Sequence, residues 1–180
     1  MEENEGRRKG FREKFLNKKV VIALAALVVV VVAGGLGLME KASANPAFCA
    51  SCHIMQSYYQ SYHNSNLLAN KHAKAGVTCH QCHQNTVAGQ AKEGIDYITG
   101  NYKTPLDKIT VSKDLCLKCH NYDTVKSKTN FEESNPHDSH NGQLECNTCH
   151  SMHQQSTVFC AQCHQFSWFS KLDNSWKTSY

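Results

Sequence analysis

All ten cysteines of this 180-residue chain lie in Cys-X-X-Cys-His units. The five units are Cys49–Cys52–His53, Cys79–Cys82–His83, Cys116–Cys119–His120, Cys146–Cys149–His150 and Cys160–Cys163–His164. Two thiols at this spacing can add across the vinyl groups of one haem, and the histidine beside them can reach its iron. Zinc does not explain the pattern. Zinc ribbons take two cysteine pairs per metal, and five pairs leave one over. A disulfide framework explains an even cysteine count but not the constant spacing or the histidine after each pair. The expected cofactor is therefore haem c, five copies covalently attached, and the expected chemistry is electron transfer.

The second axial ligand sets what each iron does. Two histidines give a low-potential carrier, methionine raises the potential, and an open position permits chemistry. Six histidines lie outside the motif-terminal position: His63, His72, His80, His137, His140 and His153. His80 sits between two attachment cysteines, a poor place from which to ligate. His153 follows His150 by three residues, so it points away from its own haem toward a neighbour's. His137 and His140 precede motif 4 as a pair that can serve two haems, and His72 precedes motif 2. These four are the expected distal ligands of haems 2 to 5, with His63 a spare or an alternative to His72. Which haem each serves is not readable from spacing. Motif 1 differs, because Met55 follows His53 by two residues. Spacing alone leaves open whether that methionine takes the iron or simply packs.

The elements that must hold these groups are short. The chain outside the membrane segment is too small to wrap five porphyrins and also build a hydrophobic core. The porphyrins themselves are expected to be the core, in a mostly α fold with irregular loops and little or no sheet. Motif starts are separated by 30, 37, 30 and 14 residues. That spacing suggests a haem 1–2 lobe over residues 45–112 and a haem 3–5 lobe over residues 113–180. The polar run 121–136 reads as a surface loop. Residues 87–102 read as one helix, with Lys92 and Asp96 a turn apart on one face.

Residues 20–39 are uncharged and apolar, long enough for one helical crossing of a bilayer. The tail before them, residues 1–19, carries Arg7, Arg8, Lys9, Arg12, Lys14, Lys18 and Lys19. Such a flank places the N-terminus in the cytoplasm and the haem domain on the periplasmic or extracellular side of the cytoplasmic membrane. The rival is a cleaved signal peptide, for which Ala42-Ser43-Ala44 would be the cleavage site, but its apolar stretch is normally shorter. Membrane lipid is thus an expected partner. Lys and Arg exceed Asp and Glu by four (19 against 15), and most of that excess lies in the tail. It is a topology signal and gives no support to nucleic-acid binding.

Residues 45–83 resemble the opening of the membrane-anchored quinol dehydrogenase cytochromes of the NapC/NirT class, notably the small subunit of cytochrome c nitrite reductase. The resemblance rests on a basic-flanked anchor, FCASCHIM, the Tyr59/Ser61 stretch, and His72 shortly before CHQCH. It implies that Met55 ligates haem 1 in place of His53. It also implies a menaquinol pocket beside haem 1, for which Lys92 and Asp96 are the counterparts. Lys92 would hold the quinol oxygen and Asp96 would take the first proton. The plain reading of that pair is an exposed helical ion pair. Residues 113–180 are similar to the haem domain of flavocytochrome c fumarate reductases, through His137-X-X-His140, the Cys-X-X-Cys-His-X-X-His unit ending at His153, and the aromatic-tailed last motif. This likeness implies electron delivery to an extracytoplasmic reductase, a flavoprotein of the fumarate reductase type. The alternatives are delivery to cytochrome c nitrite reductase, or a relay with no quinol site. Phe166, Trp168, Phe169 and Trp176 are expected to shield haem 5 rather than dock a partner.

Overall fold

The computed structural model describes residues 18–177. Its first element, α1 (Lys18–Ser43), has 26 residues. At a rise of about 1.5 Å per residue it runs about 39 Å, more than the roughly 30 Å hydrocarbon layer. Its valines and leucines are exposed rather than packed on other parts of the chain. The helix is long and apolar enough to cross a membrane, a test that an N-terminal signal sequence also passes. It extends past residues 20–39 at both ends and runs through Ala42 and Ser43. Of the basic tail, Arg7, Arg8, Lys9, Arg12 and Lys14 lie outside the described residues.

Residues Ala44–Tyr180 form a second unit. Its helices are short, and most begin where a side chain can satisfy an otherwise orphaned N–H. Asn45 caps α2 (Pro46–Cys49), with proline at the position that needs no donor. After α3 (Gln56–His63) and α4 (Leu68–Lys74), a capping box of Thr78 and Gln81 starts α5 (Cys79–Cys82). Thr86 caps α6 (Val87–Thr99) by accepting from the Gly89 N–H, and Gly100 ends it at φ +74°. That glycine stops the helix before residue 102. Ser112 caps α7 (Lys113–Leu117), and Asn121 caps α8 (Tyr122–Lys128). The expected loop over 121–136 therefore opens with a helix, because Asn121 is a good cap whose side chain accepts from the Thr124 N–H. The strands among the described residues are β1 (Ser156–Thr157) and β2 (Trp176–Lys177), paired in parallel with Ser156 opposite Trp176. The fold is mostly helical with irregular connections, as the sequence suggested.

The division at residues 112/113 does not appear as two bodies. The N–H of Ala69 in α4 donates to the Met152 carbonyl at 3.0 Å. Lys71 reaches Asp173 at 2.9 Å, and Asn66 bonds Asn174. The chain has little hydrophobic core of its own. Among the described residues, only Ala50, Ala69, Val158 and Trp168 are buried hydrophobics. Many of the rings drawn together in this unit are histidines.

Candidate haem-ligand network

Four of the five motifs share one local geometry. The histidine N–H donates to the carbonyl of the first cysteine, closing a single turn: His83 to Cys79 at 2.8 Å, His120 to Cys116 at 3.0 Å, His150 to Cys146 at 2.9 Å and His164 to Cys160 at 2.9 Å. This turn brings both thiols and the imidazole to one side of the backbone. Motif 1 lacks the bond. There Cys52 N–H donates to Cys49 at 3.3 Å, and Met55 N–H donates back to the Cys52 carbonyl at 2.9 Å. The second bond winds a 3-10 turn over His53–Met55.

None of the ten cysteines is in a disulfide. Burial raises the thiols of Cys49, Cys79, Cys82, Cys149 and Cys160, and lifts Cys146 to about 11. A raised thiol disfavours the thiolate that a zinc site needs. No cluster of three or more His, Cys, Asp or Glu stands ready for a bare metal ion among the described residues. The thiols also feel one another in chain order. Cys79 is raised further by Cys49, Cys82 by Cys116 and Cys119, Cys146 by Cys116, and Cys149 by Cys160. Each attachment site thus lies near the next one in the sequence.

The motif histidines of units 2 to 5 each face a second histidine. Ring centroids are 6.1 Å apart for His83 and His153, 5.9 Å for His72 and His120, 6.1 Å for His137 and His150, and 6.0 Å for His140 and His164. A metal–imidazole bond is about 2 Å. Adding the distance from ring nitrogen to centroid, two imidazoles on opposite sides of one metal have centroids about 6.2 Å apart. The donor set therefore fits four iron centres with paired histidines. Second contacts fix three of these rings. Ser61 donates to the Tyr58 carbonyl at 2.6 Å, so its oxygen accepts from Nδ1–H of His153, also at 2.6 Å. Thr129 donates to Val125 at 2.9 Å and accepts from Nδ1–H of His137 at 2.8 Å. Nδ1–H of His72 donates to the Leu68 carbonyl at 2.9 Å. In each case Nε2 keeps its lone pair, the arrangement that orients metal-ligating histidines. Burial lowers His137 and His153, and takes His150 to about 4 with help from His137, His120 and His72. Neutral imidazole, the ligating form, is favoured.

His63 faces no histidine and stacks on Tyr59 at 5.4 Å. His80 faces no other ring. His53 has tyrosines for neighbours. Its Nδ1 is 2.9 Å from the Tyr97 hydroxyl, and Tyr102 lies edge-on at 6.4 Å. Tyr97 belongs to α6, one turn after Glu93, whose charge reaches Cys49. This face of α6 therefore lies against motif 1. Lys92 and Asp96 occupy the adjoining strip and pair with each other. The Lys92 hydrogen bond is the main reason the Asp96 carboxyl sits below its usual range. Tyr97 and Glu93 were not apparent in the sequence, although they precede and follow the Lys92/Asp96 pair at the same helical spacing. At the far end, Phe166 stacks on His164 at 5.0 Å, and buried Trp168 stacks on Phe131 at 5.0 Å. Trp176 instead meets His150 edge-on at 5.1 Å, so it flanks motif 4 and not motif 5.

The cytochrome c3 family model matches residues 71–165. The chain belongs to the cytochrome c3 family. It is a multihaem c-type cytochrome with covalently bound haem, and its role is electron transfer. Among its relatives, the cytochrome c-type protein Cgr1 of Eggerthella lenta is 33% identical, over 82% of this chain and 83% of the relative. The cytochrome c-type protein NrfB of Escherichia coli is 27% identical, over 67% of this chain and 66% of the relative. The probable fumarate reductase Ifc3 of Shewanella frigidimarina is 32% identical, over 33% of this cytochrome and 10% of the relative. These matches are consistent with both resemblances read from the sequence. No solved structure matches the chain.

Proposed function

We propose that this cytochrome is a membrane-anchored pentahaem quinol dehydrogenase that oxidises menaquinol beside motif 1 and relays electrons toward motif 5. The observation that carries the reading is the docking of α6 on motif 1 through Tyr97 and His53, with Lys92 and Asp96 alongside. In the proposed ligand set, His153 serves with His83 at haem 2, His72 with His120 at haem 3, His137 with His150 at haem 4 and His140 with His164 at haem 5. Met55 ligates haem 1, a role supported by the turn that motif 1 alone forms. Bound haem supplies reversible one-electron iron chemistry. The chain's own groups supply the proton chemistry. Lys92 turns from Asp96 to the quinol oxygen, and release of that bond lets the Asp96 carboxylate accept a proton. The neighbouring thiol sites, in chain order from Cys49 to Cys160, support a linear relay. Retention of α1 as an anchor, with the haem domain outside the cytoplasmic membrane, completes the reading. The acceptor is an extracytoplasmic flavoprotein reductase of the fumarate reductase class, a choice supported by the likeness to Ifc3.

The test is reduction of the full-length, haem-loaded protein by a menaquinol analogue, followed at the haem α-band. Rapid reduction blocked by a quinone-site inhibitor, and slowed by Asp96→Asn, is expected. Reduction by dithionite but not by quinol would overturn the quinol site. It would favour the second reading, a relay fed by another protein. That reading is supported by the exposure of Lys92, which makes its bond to Asp96 an ordinary surface pair.

A further inference from the structure

Motif 1 departs from the other four motifs in two independent ways. Its backbone lacks the histidine-to-cysteine hydrogen bond. Its histidine ring is also the only motif histidine among the described residues with a side-chain hydrogen bond, the 2.9 Å contact to Tyr97. The Nδ1 contacts of His72, His137 and His153 are different in kind, since each of those rings also faces a motif imidazole about 6 Å away. His53 faces only tyrosines: Tyr97 at 5.6 Å and Tyr102 at 6.4 Å. The two tyrosines stack on each other at 5.5 Å, so the Tyr97 hydroxyl is held in place by packing as well as by the helix.

We infer that Tyr97 is a positioning residue that selects the axial ligand of haem 1, by holding His53 away from the iron so that Met55 can take the position. The inference rests on the Met55 ligation proposed above. Its physical basis is competition within one turn. His53 and Met55 are two residues apart, and only one of them can occupy the same side of the iron. Imidazole is the usual partner of a c-type motif, so the methionine needs something to hold the histidine back. A hydrogen bond from a helix anchored elsewhere in the fold does this without altering the motif. Because Tyr97 follows Asp96 directly, the same helix turn would carry both the ligand selector and the proton acceptor. Substrate binding and haem 1 coordination would then share one element.

The test compares wild type, Tyr97→Phe, Tyr102→Phe and Met55→Leu in the full-length, haem-loaded protein, by magnetic circular dichroism and redox titration. Tyr97→Phe removes the hydroxyl and keeps the ring stack. It is expected to replace the methionine signature of haem 1 with a two-nitrogen or histidine-only one and to lower that haem's potential, since methionine raises it. The other four haems should be unchanged. Tyr102→Phe, which has no bond to His53, is expected to match wild type. If Met55→Leu alters haem 1 but Tyr97→Phe does not, the role of Tyr97 is overturned and methionine ligation stands. If Met55→Leu leaves haem 1 as it was, the ligation itself fails, and this inference with it. A change in all the haems of Tyr97→Phe would mark a folding defect. The comparison is then read from Tyr97→Gln, which keeps a polar group opposite His53. Retention of the methionine signature there supports the role, and its loss overturns it.

Discussion

At the scale of the residue, the ligand network can be tested one histidine at a time. His153 follows motif 4 by three residues, yet its ring faces His83 of motif 2. Replacing His153 by alanine is expected to convert haem 2 to a high-spin centre and to leave haem 4 low-spin, as read by electron paramagnetic resonance. A change at haem 4 instead would refute the pairing. Ser61→Ala removes the acceptor that orients His153, and a loss of about 1 kcal/mol in thermal stability is expected for a buried hydrogen bond. The sequence identified all four partner histidines from their number and spacing, because four irons were short of ligands and few candidates existed. It could not say which haem each serves. That depends on α4 lying against the segment around Met152, a contact between residues far apart in the chain that leaves no local pattern.

At the scale of the element, α6 decides how motif 1 is furnished. Its ends are defined by Thr86 and Gly100, neither of which touches motif 1 directly. Thr86→Ala removes the cap and is expected to cost about 1 kcal/mol. Gly100→Ala forces a Cβ into the left-handed region and is expected to cost about 1–2 kcal/mol. No neighbouring atom lies within 4 Å of that Cβ, so the strain is the backbone's alone. Both variants should speed hydrogen exchange in α6 and broaden the haem 1 spectrum while sparing haems 3 to 5. The helix was legible in the sequence, as was the spacing of Lys92 and Asp96. The face it turns to motif 1 was not, because Glu93 and Tyr97 read as ordinary surface residues until the fold brings Cys49 and His53 beside them.

At the scale of the whole molecule, the C-terminal segment straps the unit together. Asp173 is hydrogen-bonded to Lys71 and Ser175, which hold its carboxyl at about 2. A lowered carboxylate stabilises the fold above its ordinary range near 3.8, and the gain disappears as pH falls toward 2. Both side chains are substantially exposed, so the effect should be no more than about 1 kcal/mol. Amide exchange at Ser156, which donates to Ser175, should rise across that window in wild type and be flat in Asp173→Asn. The anchor is tested separately. The intact mass of protein from membranes should include residues 18–43, and a mass beginning near Ala44 would identify α1 as a cleaved leader. The mostly helical, haem-cored architecture was visible in advance because too few apolar residues remain to build any other interior. The proposed lobes were not borne out as separate bodies, since motif spacing records distance along the chain and not which segments pair.

The pairing of His83 with His153 has a consequence for biosynthesis. With ligation as proposed, a chain emerging from its N-terminus completes the site of His72 and His120 first, and that of His137 and His150 next. Haem 2, second in line from the quinol, waits for His153, and only haem 5 is finished later. A molecule halted during export would therefore hold finished carriers in its middle but no closed circuit from its entrance. Conduction would begin only when nearly the whole polypeptide has arrived, which keeps half-built copies from draining the quinol pool.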